Sequence, residues 1–246
     1  MLVRTTNSCR MGCSHCLVEA SPTGEHMPFE VFKEALKFSV AYDPYLLFIS
    51  GGEPTDHPDF LEFLGFAKHY ITQGRVGMVL VASNGMFLED RSYTEKILKI
   101  GIPFQITNDV RFYPKRIKKK SHRLLTFEDN LRLVSPMGRA VTNNLKINRQ
   151  SPLCFNLRSL CHNYQDFNLA VKHLRSIGKM CIPSVNVDGS VVAGEAPSCY
   201  KIGTIESSNE EITKNILNMK CGKCGLQNNL QEKYQDLWEE MEDSND

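Results

Sequence analysis

Three cysteines within eight residues constrain this chain more than any other feature of its sequence. Cys9, Cys13 and Cys16 have the spacing CxxxCxxC and follow a short extended run, residues 2–6. Thiolates this close together can bind one face of a metal centre, but they supply three ligands where a closed site needs four. A [4Fe-4S] cluster held by three cysteines leaves one iron open to a non-protein ligand, and an open metal position is where chemistry takes place. The spacing alone also fits half of a zinc site.

Composition and charge indicate the class of protein. The 246 residues are 41% apolar, enough for a sizeable core in one domain with a small appendage. The formal net charge of +1 indicates neither a nucleic-acid partner nor a membrane partner. The sequence has no apolar run of about eighteen residues and no signal-peptide pattern, so we expect a cytoplasmic protein. In that compartment the nine cysteines indicate metal ligands or catalytic groups rather than disulfides.

Apolar runs alternate with helical patterns along the first half of the chain. The runs at 45–50, 76–82 and 104–107 are typical of buried strands, and helical patterns occur at 29–42, 56–70 and 93–100. This alternation predicts an α/β fold with a mostly parallel sheet. Farther along, Asp188-Gly189 joins two β-prone runs and predicts a hairpin, which lies between helical patterns at 167–177 and 209–219.

Polar or glycine-containing segments follow the predicted strands directly. They are the three-cysteine loop, Gly51-Gly52-Glu53-Pro54, Ser83-Asn84-Gly85 and Thr107-Asn108-Asp109. Parallel sheets carry function on the loops at the carboxyl ends of their strands, so we expect all four segments on one rim. Two adjacent glycines also allow a backbone to approach a ligand closely.

In these motifs the sequence resembles the radical S-adenosylmethionine (radical SAM) enzymes. The resemblance implies a partial (β/α)6 barrel over residues 1–178. It also implies a [4Fe-4S] cluster held by Cys9, Cys13 and Cys16, whose open iron is chelated by the amino and carboxylate groups of SAM. One electron from an external reductant resembling flavodoxin or ferredoxin then cleaves SAM to methionine and a 5′-deoxyadenosyl radical. That radical abstracts a hydrogen atom from a substrate C–H bond.

The same resemblance assigns residues to SAM. They are Gly51, Gly52, Glu53, Pro54, Ser83, Asn84, Thr107, Asp109 and His15. Gly51 to Pro54 match the segment that binds the methionyl amino group, and Ser83 and Asn84 match a polar pair at the end of a strand. Thr107 and Asp109 match a Ser/Thr-x-Asp after the next strand, and His15 matches a position near adenine. Glu53 would accept from the ammonium group or order its segment. His15 departs from the family pattern, which usually has another aromatic residue there.

A second set of cysteines frames the predicted hairpin. The set is Cys181, Cys199, Cys221 and Cys224. Four thiolates make a closed site for either Zn²⁺ or an Fe–S cluster, and the residues alone do not choose between them. The order of cysteines, hairpin and helix resembles the twitch appendage, a shortened SPASM domain. That resemblance implies that residues 179–246 form a small α+β appendage with a second [4Fe-4S] cluster.

Cys154 and Cys161 remain outside both sets. Free cysteines are often buried as small apolar residues. Either residue could instead donate a hydrogen atom in the active site or bind the second cluster, so both are candidate catalytic residues.

The substrate does not follow from the sequence. We expect a peptide or protein, with a small metabolite such as a nucleotide or an aminosugar as the alternative. A basic run at 111–123 could meet phosphate, an acidic peptide or nucleic acid, but it has few interleaved aromatic residues, so nucleic acid is not expected. The competing hypothesis is a non-catalytic, zinc-stapled nucleic-acid-binding protein, which leaves Gly51-Gly52-Glu53-Pro54 unexplained.

Overall fold

The computed structural model describes residues 1–129, 134, 137–145, 153–176 and 182–219. The helices are α1 (Phe29–Tyr42), α2 (Phe60–Thr72), α3 (Arg91–Ile100), α4 (Arg139–Thr142), α5 (Leu153–Tyr164), α6 (Phe167–Ser176) and α7 (Asn209–Leu217). The strands are β1 (Leu2–Arg4), β2 (Leu46–Ser50), β3 (Met78–Ser83), β4 (Phe104–Thr107), β5 (Leu125–Glu128), β6 (Ser184–Val185), β7 (Ser190–Val192) and β8 (Lys201–Thr204). Strands and helices alternate up to β4, as the apolar pattern predicts.

The second helix begins later than its apolar pattern predicts. Pro54–Asp56 form a separate 3₁₀ turn, and α2 begins only at Phe60. Pro58 explains the break, because a proline disfavours helical backbone in the residue before it, here His57. The glycine segment, defined as Gly51-Gly52-Glu53-Pro54, therefore leads into a tight turn rather than directly into a helix.

The strands form one open, mostly parallel sheet. Its described order is β5-β4-β3-β2-β1-β6-β7-β8. All pairs from β5 to β6 are parallel, and only β7 and β8 join antiparallel. Over the described residues the sheet does not close on itself, so the predicted partial-barrel α/β fold is confirmed.

Helices cover one face of this sheet and leave the other face facing a hollow. Along β2, Leu47 and Ile49 are fully buried, whereas Leu46, Phe48 and Ser50 are partly exposed. The same alternation runs along β3 and β4. Helices α1 and α2 contact the buried side. Because successive side chains in a strand point to opposite faces, the partly exposed set lines the concave interior.

The predicted hairpin forms, and it extends the sheet of the first half of the chain. Strand β6 pairs in parallel with β1, where Leu2 lies opposite Ser184, and antiparallel with β7. Gly189 turns the chain with φ of +80°, a backbone conformation that favours glycine. Helix α7 packs against α5 and α6. The division of the chain at residue 178 and the binding of a second cluster stay predictions. Within the described segments, no helix is long and apolar enough to cross a membrane.

Candidate active site

A cavity of about 250 Å³ lies at the carboxyl ends of the first four strands. We call it the main cavity. The last residues of β1 to β4, which are Arg4, Ser50, Ser83 and Thr107, all line it. Of the predicted cluster and SAM residues, the following line it: Cys9, Cys13, Cys16, His15, Gly51, Gly52, Ser83, Asn84 and Thr107. Glu53, Pro54 and Asp109 do not line it.

The three cysteines of residues 9–16, the cluster loop, come together in this cavity. Cys9 and Cys13 are 7% and 8% exposed, and Cys16 is partly buried. Burial raises the pKa of the Cys9 thiol. Burial, with Cys9 and Cys16 nearby, raises the pKa of Cys13 to about 12. At pH 7 these two metal-free thiols are therefore neutral, so binding of a metal centre to them must release protons.

The donor set fits an iron–sulfur cluster. In the described part of the chain, no three His, Cys, Asp or Glu side chains converge as they would around a single metal ion. Cysteines that share a [4Fe-4S] cluster bind different irons, so they line a wider space than ligands of one ion. Two N–H groups also point at the sulfur of Cys9: the Met11 amide at 3.4 Å and the Asn84 side-chain amide at 3.5 Å. Such donors stabilise a thiolate that binds metal.

The glycine segment is packed tightly against the chain that leads into the cluster loop. The Gly52 amide donates to the Thr6 carbonyl at 2.6 Å, and the Glu53 amide donates to the Ser8 carbonyl at 2.8 Å. A Cβ atom added to Gly52 would lie 2.2 Å from the Ser8 carbonyl oxygen. Position 52 thus requires glycine because a side chain would clash with the neighbouring backbone of Ser8, in addition to filling part of the cavity that this residue lines.

Glu53 joins the glycine segment to the end of β3. Its carboxylate is fully buried and accepts four hydrogen bonds: from the Thr55 amide (3.2 Å), the Thr55 hydroxyl (2.7 Å), the Ser83 hydroxyl (2.8 Å) and the Asn84 amide (2.7 Å). Burial raises the pKa of this carboxyl, and the four donors oppose that shift. The carboxylate is therefore held by donors of the protein itself, and both predicted roles of Glu53 stay predictions.

His15 packs against the loop that follows β4. Its ring centroid lies 4.8 Å from that of Phe112 and 5.4 Å from that of Tyr113. Burial lowers the pKa of His15, so the imidazole is neutral at pH 7 and acts as an aromatic surface. Tyr113 lines the cavity and hydrogen-bonds to the Thr107 side chain, and burial raises the pKa of its hydroxyl.

Asp109 organises a loop rather than facing the cavity. It is 1% exposed, and Arg111 donates to its carboxylate from Nε at 2.9 Å and from the backbone amide at 3.1 Å. Its backbone carbonyl also accepts from the amides of Phe112 and Tyr113. These contacts hold the aromatic pair over His15, so Asp109 is one step removed from the cavity wall.

Among the described residues, four further ionisable side chains that the sequence analysis did not identify line the cavity: Arg4, Tyr113, Arg139 and Glu195. Arg4 is 1% exposed, and its guanidinium donates to the Asn186 side chain and the Glu195 carbonyl. Burial lowers the pKa of Arg4 to about 10, so it remains a cation at pH 7. The sequence did contain a signal for Arg4, because an arginine within a short apolar strand is unusual. Arg139 and Glu195 belong to segments with no motif.

The other predicted cysteines are not brought to the main cavity in the described residues. Cys161 is fully buried in α5 within the apolar core, and burial raises its pKa to about 12, so its position gives no support to a catalytic role. Cys199 is partly buried between β7 and β8, within electrostatic range of Arg4. The Cys154 side chain, Cys181, Cys221 and Cys224 lie outside the described residues.

A family model agrees with this geometry. The model described as the radical SAM superfamily matches residues 3–145, which include every strand end around the main cavity. The chain belongs to the radical SAM superfamily. Membership implies an enzyme that uses SAM and, as a rule in the family, an external reductant. No curated protein sequence is recognisably similar to the chain.

Solved structures share the fold at low sequence identity. BtrN in complex with AdoMet and 2-DOIA is 16% identical, with 89% of this chain and 81% of that chain covered and a TM-score of 0.55. SeMet BtrN in an open conformation is also 16% identical, with 91% and 88% covered and a TM-score of 0.51. SuiB from Streptococcus suis, bound to S-adenosylmethionine, is 12% identical, with 92% and 70% covered and a TM-score of 0.49. At 16% identity, the likeness to the two BtrN structures concerns the fold alone.

Proposed function

We propose that this protein cleaves SAM reductively to a 5′-deoxyadenosyl radical and uses it to abstract a hydrogen atom from a peptide or protein substrate, which is then modified or oxidised. The observation that carries the proposal is that the three cluster-loop cysteines line one cavity together with Gly51, Gly52 and Asn84. Soft thiolates favour an iron–sulfur cluster, and backbone polar groups beside them suit the amino and carboxylate groups of SAM.

The residues around the cavity have separable tasks in this mechanism. Cys9, Cys13 and Cys16 would hold a [4Fe-4S] cluster that, together with SAM, supplies the radical when bound. Asn84 donates to the sulfur of Cys9 and is itself held by Glu53, so this donor is oriented before any ligand arrives.

The inner wall of the cavity is suited to hold the substrate. Arg4 provides a buried positive charge there, and Tyr113 provides a hydroxyl that stays protonated. Glu195 lies beside Arg4 on the loop after β7, so the C-terminal hairpin supplies part of the same wall. These groups are fixed by packing and hydrogen bonds, which is what positioning a C–H bond near a reactive centre requires.

Anaerobic reconstitution tests the proposed chemistry directly. Protein loaded with iron and sulfide is incubated with dithionite and SAM, and 5′-deoxyadenosine is measured by chromatography. We expect 5′-deoxyadenosine from the wild type and from Cys161→Ser, and none above background from Cys13→Ser. Iron-loaded wild-type protein that yields no 5′-deoxyadenosine would overturn the proposal.

A small metabolite is the second candidate substrate. The observation that favours it is the buried guanidinium of Arg4 in the cavity wall, which suits a compact polar molecule. The BtrN complex with 2-DOIA has a related fold around a small ligand. Panels of deuterated short peptides, aminosugars and nucleotides separate the candidates, because only a true substrate transfers deuterium into 5′-deoxyadenosine.

We also propose that Cys181, Cys199, Cys221 and Cys224 bind a second [4Fe-4S] cluster, as in a twitch appendage. Cys199 supports this, since it is partly exposed beside the hairpin. The second cluster could take an electron from the substrate radical, which would make the reaction a net oxidation. Iron analysis of the reconstituted protein decides the matter: about eight irons support two clusters, and about four irons with one zinc support a zinc site.

A further inference from the structure

The loop at residues 111–123, which we call the basic loop, is the most strongly charged segment of the protein. It joins β4 to β5 and contains seven arginines and lysines and no acidic residue. Since the net charge of the whole chain is only +1, the rest of the protein is acidic in balance. The exposed cations of the loop are Arg111, Lys115, Arg116, Lys118, Lys119, Lys120 and Arg123.

One end of the basic loop lies on the cluster loop. The Ser14 amide donates to the Phe112 carbonyl at 2.9 Å, and Phe112 and Tyr113 both pack on His15, next to Cys16. Five residues of chain span at most about 17 Å, so Lys118 lies within that reach of Tyr113. The loop therefore connects exposed positive charge with the wall of the main cavity over a short distance.

The middle of the loop is anchored at Ile117, so the neighbouring charges are presented on a defined surface. The Asn108 side chain accepts from the Ile117 amide at 2.9 Å and donates to the Ile117 carbonyl at 3.2 Å, and Ile117 is 2% exposed. A groove of about 450 Å³ runs beside it, lined by Leu88, Glu89, Ile117, Lys118, Lys119 and Lys120. Lys118, Lys120 and Arg123 make no ion pair within the described part of the chain.

We propose that the basic loop is the docking surface for an acidic one-electron carrier protein that supplies this enzyme. The proposal rests on the proposed function, which requires such a donor. One electron leaves the reduced carrier and enters the oxidised cluster, so the carrier is oxidised by one electron and no bond forms or breaks. Opposite charges accelerate encounter and orient the partners, and weak electron-transfer complexes need only a small interface.

Two other occupants suit the loop less well. Binding of single-stranded nucleic acid relies on exposed stacking aromatics as well as positive charge, but Phe112 and Tyr113 pack against His15. An acidic peptide substrate must reach the main cavity, and none of the six exposed cations at 115–123 lines it. Electron transfer needs only closeness to the cluster loop, which the Phe112 contacts provide.

Reversing the charge of two lysines in the basic loop tests the proposal, with turnover measured using either flavodoxin or dithionite as the electron source. The variant Lys118→Glu/Lys120→Glu is compared with Lys172→Glu/Lys214→Glu, which makes the same charge change at exposed sites on α6 and α7. Calorimetry measures binding of an acidic flavodoxin to each reconstituted protein at low and at high salt. We expect the first variant to bind about tenfold more weakly at low salt and the control to bind like the wild type.

Turnover then separates docking from chemistry. With flavodoxin, its reductase and NADPH, the basic-loop variant should form 5′-deoxyadenosine several-fold more slowly, whereas with dithionite its rate should match the wild type. Equal flavodoxin affinity in the two variants would overturn the docking surface. Normal affinity together with lost substrate turnover under dithionite would identify a substrate site instead. No 5′-deoxyadenosine from the wild type with either reductant would refute the proposed function, while the binding data would still decide the docking question.

Discussion

The backbone amide of Asn84 donates to the carboxylate of Glu53 at 2.7 Å, while the side-chain amide of Asn84 points at the sulfur of Cys9 at 3.5 Å. Two hydrogen bonds thus join segments that follow three different strands. Since Glu53 is fully buried, this connection is shielded from competing water. The position of one predicted cluster ligand therefore depends on a carboxylate that does not itself line the cavity.

Replacement of Glu53 should loosen this connection without removing any cavity residue. In Glu53→Gln, one of the two acceptor oxygens becomes an amide donor, so some of the four donors lose their partner. We expect the free energy of unfolding to fall by about 2–3 kcal/mol, measured by urea denaturation of the metal-free protein. Glu62→Gln on the exposed side of α2 is the control and should change stability by less than about 0.5 kcal/mol. Equal stability of the two variants would contradict the buried cross-link.

Two glycine substitutions should change the stability of the protein in opposite directions. Gly52→Ala places a Cβ 2.2 Å from the Ser8 carbonyl oxygen, and backbone must move to relieve the clash, so we expect a loss of roughly 3 kcal/mol or more. Gly65→Ala, in the interior of α2, meets no atom within 4 Å and should raise stability by about 0.5–1 kcal/mol. Thermal unfolding of both variants checks the pair, and a harmless Gly52→Ala would disprove the tight approach.

Serine variants of the different cysteines should differ in the amount of iron that they bind. Replacement of Cys9, Cys13 and Cys16 together by serine should lower the iron bound after reconstitution by about four per chain, because one [4Fe-4S] cluster is lost. Cys161→Ser should keep the iron of the wild type and lose stability, because it puts a hydroxyl into an apolar core. Iron and sulfide analysis provides the comparison. A triple variant that retains all its iron would exclude the cluster loop as a ligand set.

Stability should fall in mild acid partly through His57. Its ring is 2% exposed; Nε2 pairs with the Met27 carbonyl at 2.9 Å, and Nδ1 accepts from the Asp59 amide at 3.0 Å, which is the pattern of a neutral imidazole. Burial lowers the pKa of His57, so below its ordinary value of 6.5 the unfolded chain binds a proton that the folded chain resists. The stabilisation is complete above about pH 6.5 and is lost as the pH falls, with a slope of up to about 1.4 kcal/mol per pH unit.

Substitution of this histidine provides the check. His57→Gln should be less stable at pH 7.5 and should show a weaker decline between pH 6.5 and 5 than the wild type. His69→Gln, on the exposed side of α2, should keep the wild-type slope. Denaturant titrations of the metal-free proteins across this range measure both slopes. Parallel curves for wild type and His57→Gln would show that His57 does not contribute.

Parts of the fold could not be predicted from the sequence. Strand β5 (Leu125–Glu128) is short, and it follows the basic loop without a long apolar run, so it has no strong periodic signal of its own. Its place is decided by pairing with β4, where Phe104 lies opposite Leu125. The parallel pairing of β6 with β1 is likewise a long-range contact, between residues about 180 positions apart.

The amino-acid sequence by itself determined the class of the fold, the strand-end segments and the three-cysteine loop, because apolar period and ligand spacing are local properties of a chain. Tertiary structure alone decided which of those residues share the cavity. It buried Glu53 and Asp109 outside the cavity lining, and it brought Arg4, Arg139 and Glu195 to the lining of the main cavity. The physical reason is that burial and hydrogen-bond partners depend on contacts between segments far apart in sequence, and these contacts exist only after the sheet has formed.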